Sequence, residues 1–294
     1  MSSPEQLRNF LSVVKKHNVE ELDTARVYAS GQSEELLGQV HASQDFKVST
    51  KAPGFSPGSL AKHKILSNCA LSLRALQTDK IDIYYFHGPD KQTPLEDQCD
   101  AIAQLHAEGK FARFGICNLS PTDVRTIHTY CSTKGYVLPS VYQGGYNPLH
   151  RRTEAELFPL LRELGMSFYA FSPLAGGLFA KPLQQIRHPA PGSRYDAMKV
   201  FNDIYVSEAA VKGITELATV CAEQGISVLE ATLRWTMHHS ALGKEDAVIL
   251  GASTVGQIEE SLAACEKGAL GENVRVCFDR LWEDTKDKAP AFHF

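Results

Sequence analysis

No stretch of this 294-residue chain approaches the roughly 18 consecutive apolar residues that a bilayer-spanning helix needs. The opening residues, Met-Ser-Ser-Pro-Glu-Gln, lack the basic-then-apolar order of a secretory signal, so a cytoplasmic location is expected. Neither sign of charge dominates: 30 Lys and Arg against 34 Asp and Glu leave a net charge of −4, which argues against nucleic acid as a partner. The 7 cysteines are odd in number and contain no Cys-x-x-Cys pair, so reduced thiols are the simplest reading. The 11 histidines show no metal-ligand spacing, and adjacent His238 and His239 read as a surface pair pointing apart; no metal is expected. No Gly-x-Gly-x-x-Gly follows a first strand, which weighs against a dinucleotide-binding Rossmann unit.

What is present is alternation. A hydrophobic content of 43% with 22% charged residues is that of a soluble globular protein, long enough for one large barrel domain or two ordinary ones. Strand-like runs fall at 20–25, 46–51, 81–86, 111–117, 140–144, 167–171 and 247–251, several of them near-continuously apolar, as parallel strands buried on both faces are. Between them lie segments of helical spacing, such as Leu66, Cys69, Ala70 and Leu73, or Leu157, Leu160, Leu161 and Leu164. The pattern predicts an α/β fold, a TIM (β/α)8-type barrel spanning residues 1–294 as a single domain; a doubly wound sheet is the rival. The barrel needs one more strand than the runs supply. The chain opens directly in a helix, with Ser3 as cap, Pro4 at its first position, Gln6 closing a capping box and Leu7, Phe10, Leu11 and Val14 as its buried stripe. Strand 1 of the barrel is thus apparently absent. The readings left open are an open barrel, with two exposed strand edges, and a shortened chain. The long irregular stretch is 174–206, with Gly176, Gly177, Pro182, Pro189, Pro191, Gly192 and the cations Lys181, Arg187 and Arg194; such a loop suits a ligand cover or plain insertion.

Polar residues collect where three successive strand runs end. Glu21-Leu-Asp-Thr-Ala-Arg-Val-Tyr28 supplies Asp23 and Tyr28, Phe46-Lys-Val-Ser-Thr-Lys51 supplies Lys51, and Ile81-Asp-Ile-Tyr-Tyr-Phe-His87 supplies His87. In a parallel barrel all strand C-termini share one face, and chemistry gathers there. A phenol is a poor acid near neutrality unless tuned, and an ammonium such as Lys51 is expected to lower its pKa, with Asp23 keeping the lysine charged. His87 would donate to a substrate oxygen. Together they would polarise a carbonyl and protonate it, while a hydride-carrying cofactor attacks the carbon. Each residue also has an ordinary reading: Asp23 and Lys51 as a rim ion pair, Tyr28 as packing, His87 as a satisfied polar residue ending a strand.

Leu22-Asp-Thr-Ala-x-x-Tyr28, Ser49-Thr-Lys51 and His87 resemble the aldo-keto reductase tetrad. Further stretches resemble the aflatoxin-aldehyde reductase branch of that family: Tyr28-Ala-Ser-Gly-Gln-Ser-Glu34, His87-Gly-Pro-Asp90, Leu105-His-Ala-Glu-Gly-Lys-Phe111, Val141-Tyr-Gln-Gly-Gly-Tyr-Asn147, Glu156-Leu-Phe-Pro159, Ser172-Pro-Leu-Ala-Gly-Gly-Leu178, Leu233-Arg-Trp235 and Ala247-Val-Ile-Leu-Gly251. The resemblance implies a single-domain barrel that reduces aldehydes or ketones with NADPH. Tyr28 would be the general acid, Lys51 and Asp23 would tune it, and His87 would orient the carbonyl. It assigns Asn118 and Gln143 to the nicotinamide carboxamide and Phe171 to stacking on the nicotinamide. Ser172, Pro173, Leu174, Ala175, Gly176, Gly177 and Leu178 would surround the pyrophosphate, and Gly251, Ser253, Thr254, Gln257, Glu260 and Ser261 the adenosine end. It also makes a homodimer plausible.

Departures from the family pattern are specific. Cys117 replaces a usual serine, and Ser261 stands where an asparagine commonly reads adenine. No Lys or Arg occurs in 252–260 for a 2′-phosphate, so Lys181 or Arg194 is expected to substitute, with NADH as the alternative cofactor. The 198–205 stretch lacks the arginine that grips acidic aldehydes, so no preference for carboxylate-bearing substrates is implied. Phe55, Tyr146, Tyr195, Phe292 and Phe294 are candidate pocket walls. The competing function is a weakly catalytic barrel-fold nucleotide-binding regulator, or a truncated pseudoenzyme.

Overall fold

The computed structural model describes residues 3–182, 185 and 205–293. Arg187, Pro189, Pro191, Gly192, Arg194, Tyr195, Phe294 and the 198–205 stretch apart from Tyr205 lie outside the described residues.

Seven strands are found among the described residues: β1 (Glu21–Asp23), β2 (Lys47–Ala52), β3 (Ile81–Phe86), β4 (Phe111–Cys117), β5 (Pro139–Gly145), β6 (Ser167–Phe171) and β7 (Ala247–Val248). They follow the order β1-β2-β3-β4-β5-β6-β7, and the registers of β1–β2, β2–β3, β3–β4, β4–β5 and β6–β7 are all parallel. Parallel strands in chain order, joined by helices, make this an α/β protein of the (β/α)8 barrel type with seven strands described. The doubly wound alternative fails, because its strand order reverses partway across the sheet. The boundaries match the strand-like runs closely, except that β1 covers only Glu21–Asp23 of 20–25 and β7 stops at Val248 of 247–251. Ile249 adds a single backbone bond to Ala170, 2.8 Å.

The described residues fall into two compact units. The first comprises 1–144, 159–168 and 293–294. It holds β1 to β4, nearly all of β5, and the helices α1 (Pro4–Lys16), α2 (Gln32–Gln39), α3 (Lys62–Leu76), α4 (Leu95–Ala107) and α5 (Pro121–Lys134). In β3, Ile81, Ile83, Tyr84, Tyr85 and Phe86 are all at most 1% exposed, which explains a run that is apolar but for Asp82: side chains on both faces of the strand are covered. Ser3 caps α1 by accepting from Gln6 N at 3.3 Å, with Pro4 at the first position. The buried stripe of α1 is Leu7, Leu11, Val13 and Val14, with Phe10 only half-buried. In α3 it is Ile65, Cys69, Ser72 and Leu76, while Leu66, Ala70 and Leu73 line a hollow of about 520 Å³ shared with α4. In both helices the period is as the sequence predicts, and the stripe is rotated by one flank. Spacing defines an apolar sector, and the neighbouring elements decide which edge of it faces inward.

The second unit comprises 145–158 and 169–292 and is centred on Trp235, whose ring stacks with Tyr146 (6.1 Å) and Phe278 (5.6 Å). Its helices include α6 (Thr153–Glu156), α8 (Glu208–Glu223), α9 (Val228–His238), α10 (Val255–Cys265) and α11 (Glu272–Thr285); α7 (Phe158–Glu163) begins at its edge. His238 and His239 do not simply diverge at the surface. Nε2 of His238 lies 2.7 Å from Lys267 O, and Nε2 of His239 accepts from Leu270 N at 2.8 Å, so both rings fasten the turn before α11.

Candidate functional site

Every strand-end residue of the first unit singled out in the sequence reaches one cluster. Asp23 ends β1, Lys51 lies in β2, His87 follows β3, Asn118 follows β4 and Gln143 lies in β5. The order and parallel sense of the strands place these positions side by side.

Lys51 is at the centre, with a fully buried side chain. Its ammonium donates to Asp23 Oδ2 at 2.6 Å and to the backbone oxygen of Thr24 at 2.8 Å. It sits 5.1 Å from the Tyr28 ring centroid and 5.6 Å from that of Tyr85. Burial opposes its charge, but Asp23 and then Tyr28 outweigh burial and hold its pKa above the ordinary lysine value. Tyr85 fits beneath the ammonium because residue 115 is glycine: a Cβ there would lie 2.2 Å from the Tyr85 ring. Asp23 in turn accepts from Gln143 Nε2 at 2.8 Å through its other oxygen.

Tyr28 opens a short 3-10 turn whose next two residues, Ala29 and Ser30, both have left-handed backbone angles (φ 48° and 55°). Its ring meets that of His87 edge-on at 5.8 Å. Lys51 acts on Tyr28 in the expected direction, but the net direction is opposite. Burial is the largest influence and pushes the phenol up; Lys51 pulls it down and Asp23 pushes it up, and the net direction is upward. Tyr28 as a whole is 40% exposed, so water screens part of this. The result is a phenol that keeps its proton at neutral pH, as a donor requires.

His87 has its pKa lowered to about 4 by burial and then by the Lys51 charge. It is therefore neutral near pH 7, with one N–H to donate and one nitrogen to accept. Phe55 packs against it at 5.6 Å from the other side and is 50% exposed. That placement needs two glycines. A Cβ on Gly54 would lie 2.5 Å from Gly88 N, and one on Gly88 would lie 2.4 Å from the Phe55 ring. Asp90 secures the same loops by accepting from Gly58 N (2.9 Å), Leu60 N (2.8 Å), Gln92 N (3.0 Å) and Thr93 Oγ1 (2.7 Å).

Asn118 is 7% exposed, has φ 59°, and donates from Nδ2 to His87 O at 2.9 Å. An amide has two donors and one acceptor oxygen, so Asn118 and Gln143, with one N–H each committed here, keep both functions for a carboxamide such as that of nicotinamide. The residues present thus fit that group. Cys117, 1% exposed, has its thiol pushed well above the ordinary range by burial and offers only a weak donor.

The remaining candidates lie in the second unit. Ser172 (φ 55°), Ala175 (φ 48°), Gly176 (φ 68°) and Gly177 (φ 107°) make a run of left-handed turns after β6, in which Pro173, Ala175 and Leu178 point into the core and Ser172, Leu174, Gly176 and Gly177 stay accessible. Asn147 holds this loop by donating to Ser172 O at 3.0 Å. Phe171 is half-buried, and its backbone oxygen accepts from Tyr146 N at 3.1 Å. Thr254 caps α10 by accepting from Gln257 N, and Ser253 bonds the Gln257 side chain at 2.8 Å. Glu260, Gly251 and Lys181 are exposed, whereas Ser261 is 6% exposed and turned inward on α10. Two expected pocket walls are structural instead. Tyr146 is fully buried with its hydroxyl between Glu154 (2.7 Å) and Ala241 N (3.1 Å), and Phe292 is 3% exposed. Among the described residues no three His, Cys, Asp or Glu side chains converge as a metal site, and no helix is long and apolar enough to cross a membrane.

Thr24 and Tyr85 were missed by the sequence reading. Thr24 contributes a backbone oxygen, which carries no side-chain signature, and Tyr85 looks like any buried strand aromatic. Asp90 lies in the His87-Gly-Pro-Asp90 stretch, but its five donors come from two separate loops.

A family profile described as the aldo/keto reductase family matches residues 1–279. The oxidoreductase sirO of Leptosphaeria maculans is 40% identical over 294 residues, covering 98% of this chain and 89% of that protein. The aldo-keto reductase family 7 member A3 of Homo sapiens is 38% identical over 288 residues, covering 92% and 87%. The aflatoxin B1 aldehyde reductase member 2 of Mus musculus is 38% identical over 288 residues, covering 92% and 78%.

Proposed function

The chain belongs to the aldo/keto reductase family, an oxidoreductase family, and from that membership we propose that it reduces aldehydes or ketones to alcohols with NADPH, Tyr28 giving the proton. The observation that carries this reading is the buried Lys51 ammonium held between Asp23 at 2.6 Å and the Tyr28 ring at 5.1 Å, with neutral His87 beside that ring. When bound, the nicotinamide cofactor supplies the hydride. The chain does the rest. His87 donates its N–H to the carbonyl oxygen and sets its angle, and Tyr28 O–H delivers the proton to that oxygen. The Lys51 charge stabilises the phenolate left behind, and Asp23 keeps Lys51 charged and in place. Asn118 and Gln143 hold the carboxamide.

The accessible turn backbone at Ser172, Leu174, Gly176 and Gly177 suits an anionic pyrophosphate, and the α10 N-terminus at Ser253 and Thr254 suits the adenosine phosphate end. Lys181 is the described cation nearest in sequence to these turns, which supports NADPH over NADH. Phe55, half-exposed beside His87, supports flat apolar or aromatic aldehydes, as do relatives named for aflatoxin B1 aldehyde. Residues 1–294 would act as one barrel domain, in the cytoplasm, where the seven free thiols would stay reduced, and as a homodimer by resemblance.

The test is titration of the purified protein with NADPH and NADH, then turnover of benzaldehyde by the parent and by Tyr28→Phe. NADPH-favoured binding, with turnover lost in Tyr28→Phe at unchanged cofactor affinity, is expected. Binding without turnover across a broad carbonyl panel would favour the regulatory reading. Full turnover by Tyr28→Phe would refute Tyr28 as donor.

A further inference from the structure

Glu34 is a carboxylate with no solvent exposure, and nothing in the proposed chemistry uses it. A buried carboxylate is costly unless its charge is matched and its oxygens are hydrogen-bonded. The two partners of Glu34 are not arbitrary. Oε2 accepts from Arg26 at 3.1 Å, and Arg26 lies two residues before Tyr28. Oε1 accepts from Thr50 Oγ1 at 2.7 Å, and Thr50 immediately precedes Lys51. One carboxylate therefore ties the loop that carries the phenol to the strand that carries the ammonium. Beside it, Ser33 shares a 2.7 Å hydrogen bond with Thr24, whose backbone oxygen accepts from Lys51 Nζ at 2.8 Å.

The loop needs such a tie. Ala29 and Ser30, directly after Tyr28, both adopt left-handed backbone angles that L-residues disfavour, and these persist only where the surroundings over-determine them. Gly31 completes the arrangement: its φ of 95° suits glycine, and a Cβ there would lie 3.2 Å from the Arg26 guanidinium. The bulky group of Arg26 thus lies folded under the turn, on the way to Glu34.

We propose that Glu34 is a positioning residue for Tyr28, fixing the separation of phenol and ammonium by holding Arg26 and Thr50 on one buried carboxylate. The inference rests on the reading of Tyr28 as proton donor and goes beyond it by naming what aims the donor. A misplacement of about 1 Å in a reacting group costs up to about 100-fold in rate.

Four substitutions separate positioning from plain stability. Glu34→Met removes both oxygens at similar volume, so it severs the loop tie and the strand tie together. Thr50→Val severs only the strand tie. Arg26→Met removes the guanidinium, and Arg26→Lys restores a cation. Measured on the folded 294-residue protein with NADPH and benzaldehyde, Glu34→Met, Thr50→Val and Arg26→Met should each lower kcat about 10- to 100-fold with cofactor affinity unchanged. Arg26→Lys should recover part of that loss. The Glu34→Met/Thr50→Val pair should be little worse than Glu34→Met alone, because the strand tie is already cut. In NMR spectra the Tyr28 ring resonance, assigned by its loss in Tyr28→Phe, should shift in Glu34→Met. Parent-like kcat with only a lower Tm, or an unshifted Tyr28 resonance, would overturn the inference while leaving Tyr28 as donor intact. Turnover surviving in Tyr28→Phe would remove the donor reading and this inference with it.

Discussion

Replacing Lys51 with methionine tests the centre of the cluster on both stability and rate. The ammonium is fully buried and touches one carboxylate at 2.6 Å and one carbonyl at 2.8 Å. Desolvation of both ions offsets most of their attraction, so the pair as a whole adds little net stability. Cutting it on one side is different, because Asp23 is left charged. Breaking a buried pair costs about 3–5 kcal/mol. Asp23 is 16% exposed in its side chain and keeps the 2.8 Å bond from Gln143, so the lower end, about 3 kcal/mol, applies. At about 2 °C per kcal/mol for a chain of this size, Tm should fall by about 6 °C. Asp23→Asn should cost about as much by stranding the ammonium, and the double variant should be less destabilised than the sum of the two by about 2 kcal/mol or more. Turnover of Lys51→Met should drop by about 100-fold or more. The assay is thermal unfolding of the four proteins beside their benzaldehyde turnover. Strictly additive stability losses, or an unchanged Tm in Lys51→Met, would refute the coupled pair.

Three further predictions follow from the same contacts. His87, with a folded pKa of about 4 against an ordinary 6.5, refuses protons that the unfolded chain takes up between about 6.5 and about 4; stability should fall with pH across that window and level off below it, and His150, also near 4, acts in the same direction. Unfolding free energies flat across the window would contradict this. Asp90→Asn should cost about 2–4 kcal/mol, since the carboxylate serves five donors at 5% exposure, and denaturant unfolding at neutral pH reads it; a loss under about 0.5 kcal/mol would mean the loops hold without it. Gly88→Ala should displace the Phe55 ring, which a Cβ would approach to 2.4 Å, raising KM for aromatic aldehydes with little change in Tm because the ring is half-exposed and can turn away; an unchanged KM would remove Phe55 from the pocket wall.

Much of the first unit was legible in the chain. Strand-like runs located all seven strands, several of them near-continuously apolar because a parallel strand covered on both faces is, and Ser3, Pro4 and Gln6 located the start of α1, because caps are local chemistry. Asp23, Lys51 and His87 converge because each ends a parallel strand, which alternation already implied. Other features depend on partners far away in sequence. Phe10 and Val13 compete for the buried edge of α1 with equal local claim, and only the neighbouring elements choose Val13. Tyr146 and Phe292 read as pocket aromatics, yet both are buried, Tyr146 with its hydroxyl against distant Ala241 N. The direction of the Tyr28 pKa belongs to the same class. A lysine partner suggested a lowered value, but desolvation acts through every atom that excludes water, and that sum exists only in the folded chain. The sequence by itself therefore determined which elements form and which polar groups end the strands, since both follow from short-range periodicity and backbone chemistry. The tertiary structure alone decided which apolar flanks face inward, where Gln143 and Asn118 spend their amides, how Glu34 joins Arg26 to Thr50, and that Tyr28 keeps its proton, because burial and charge are sums over neighbours that only folding brings together.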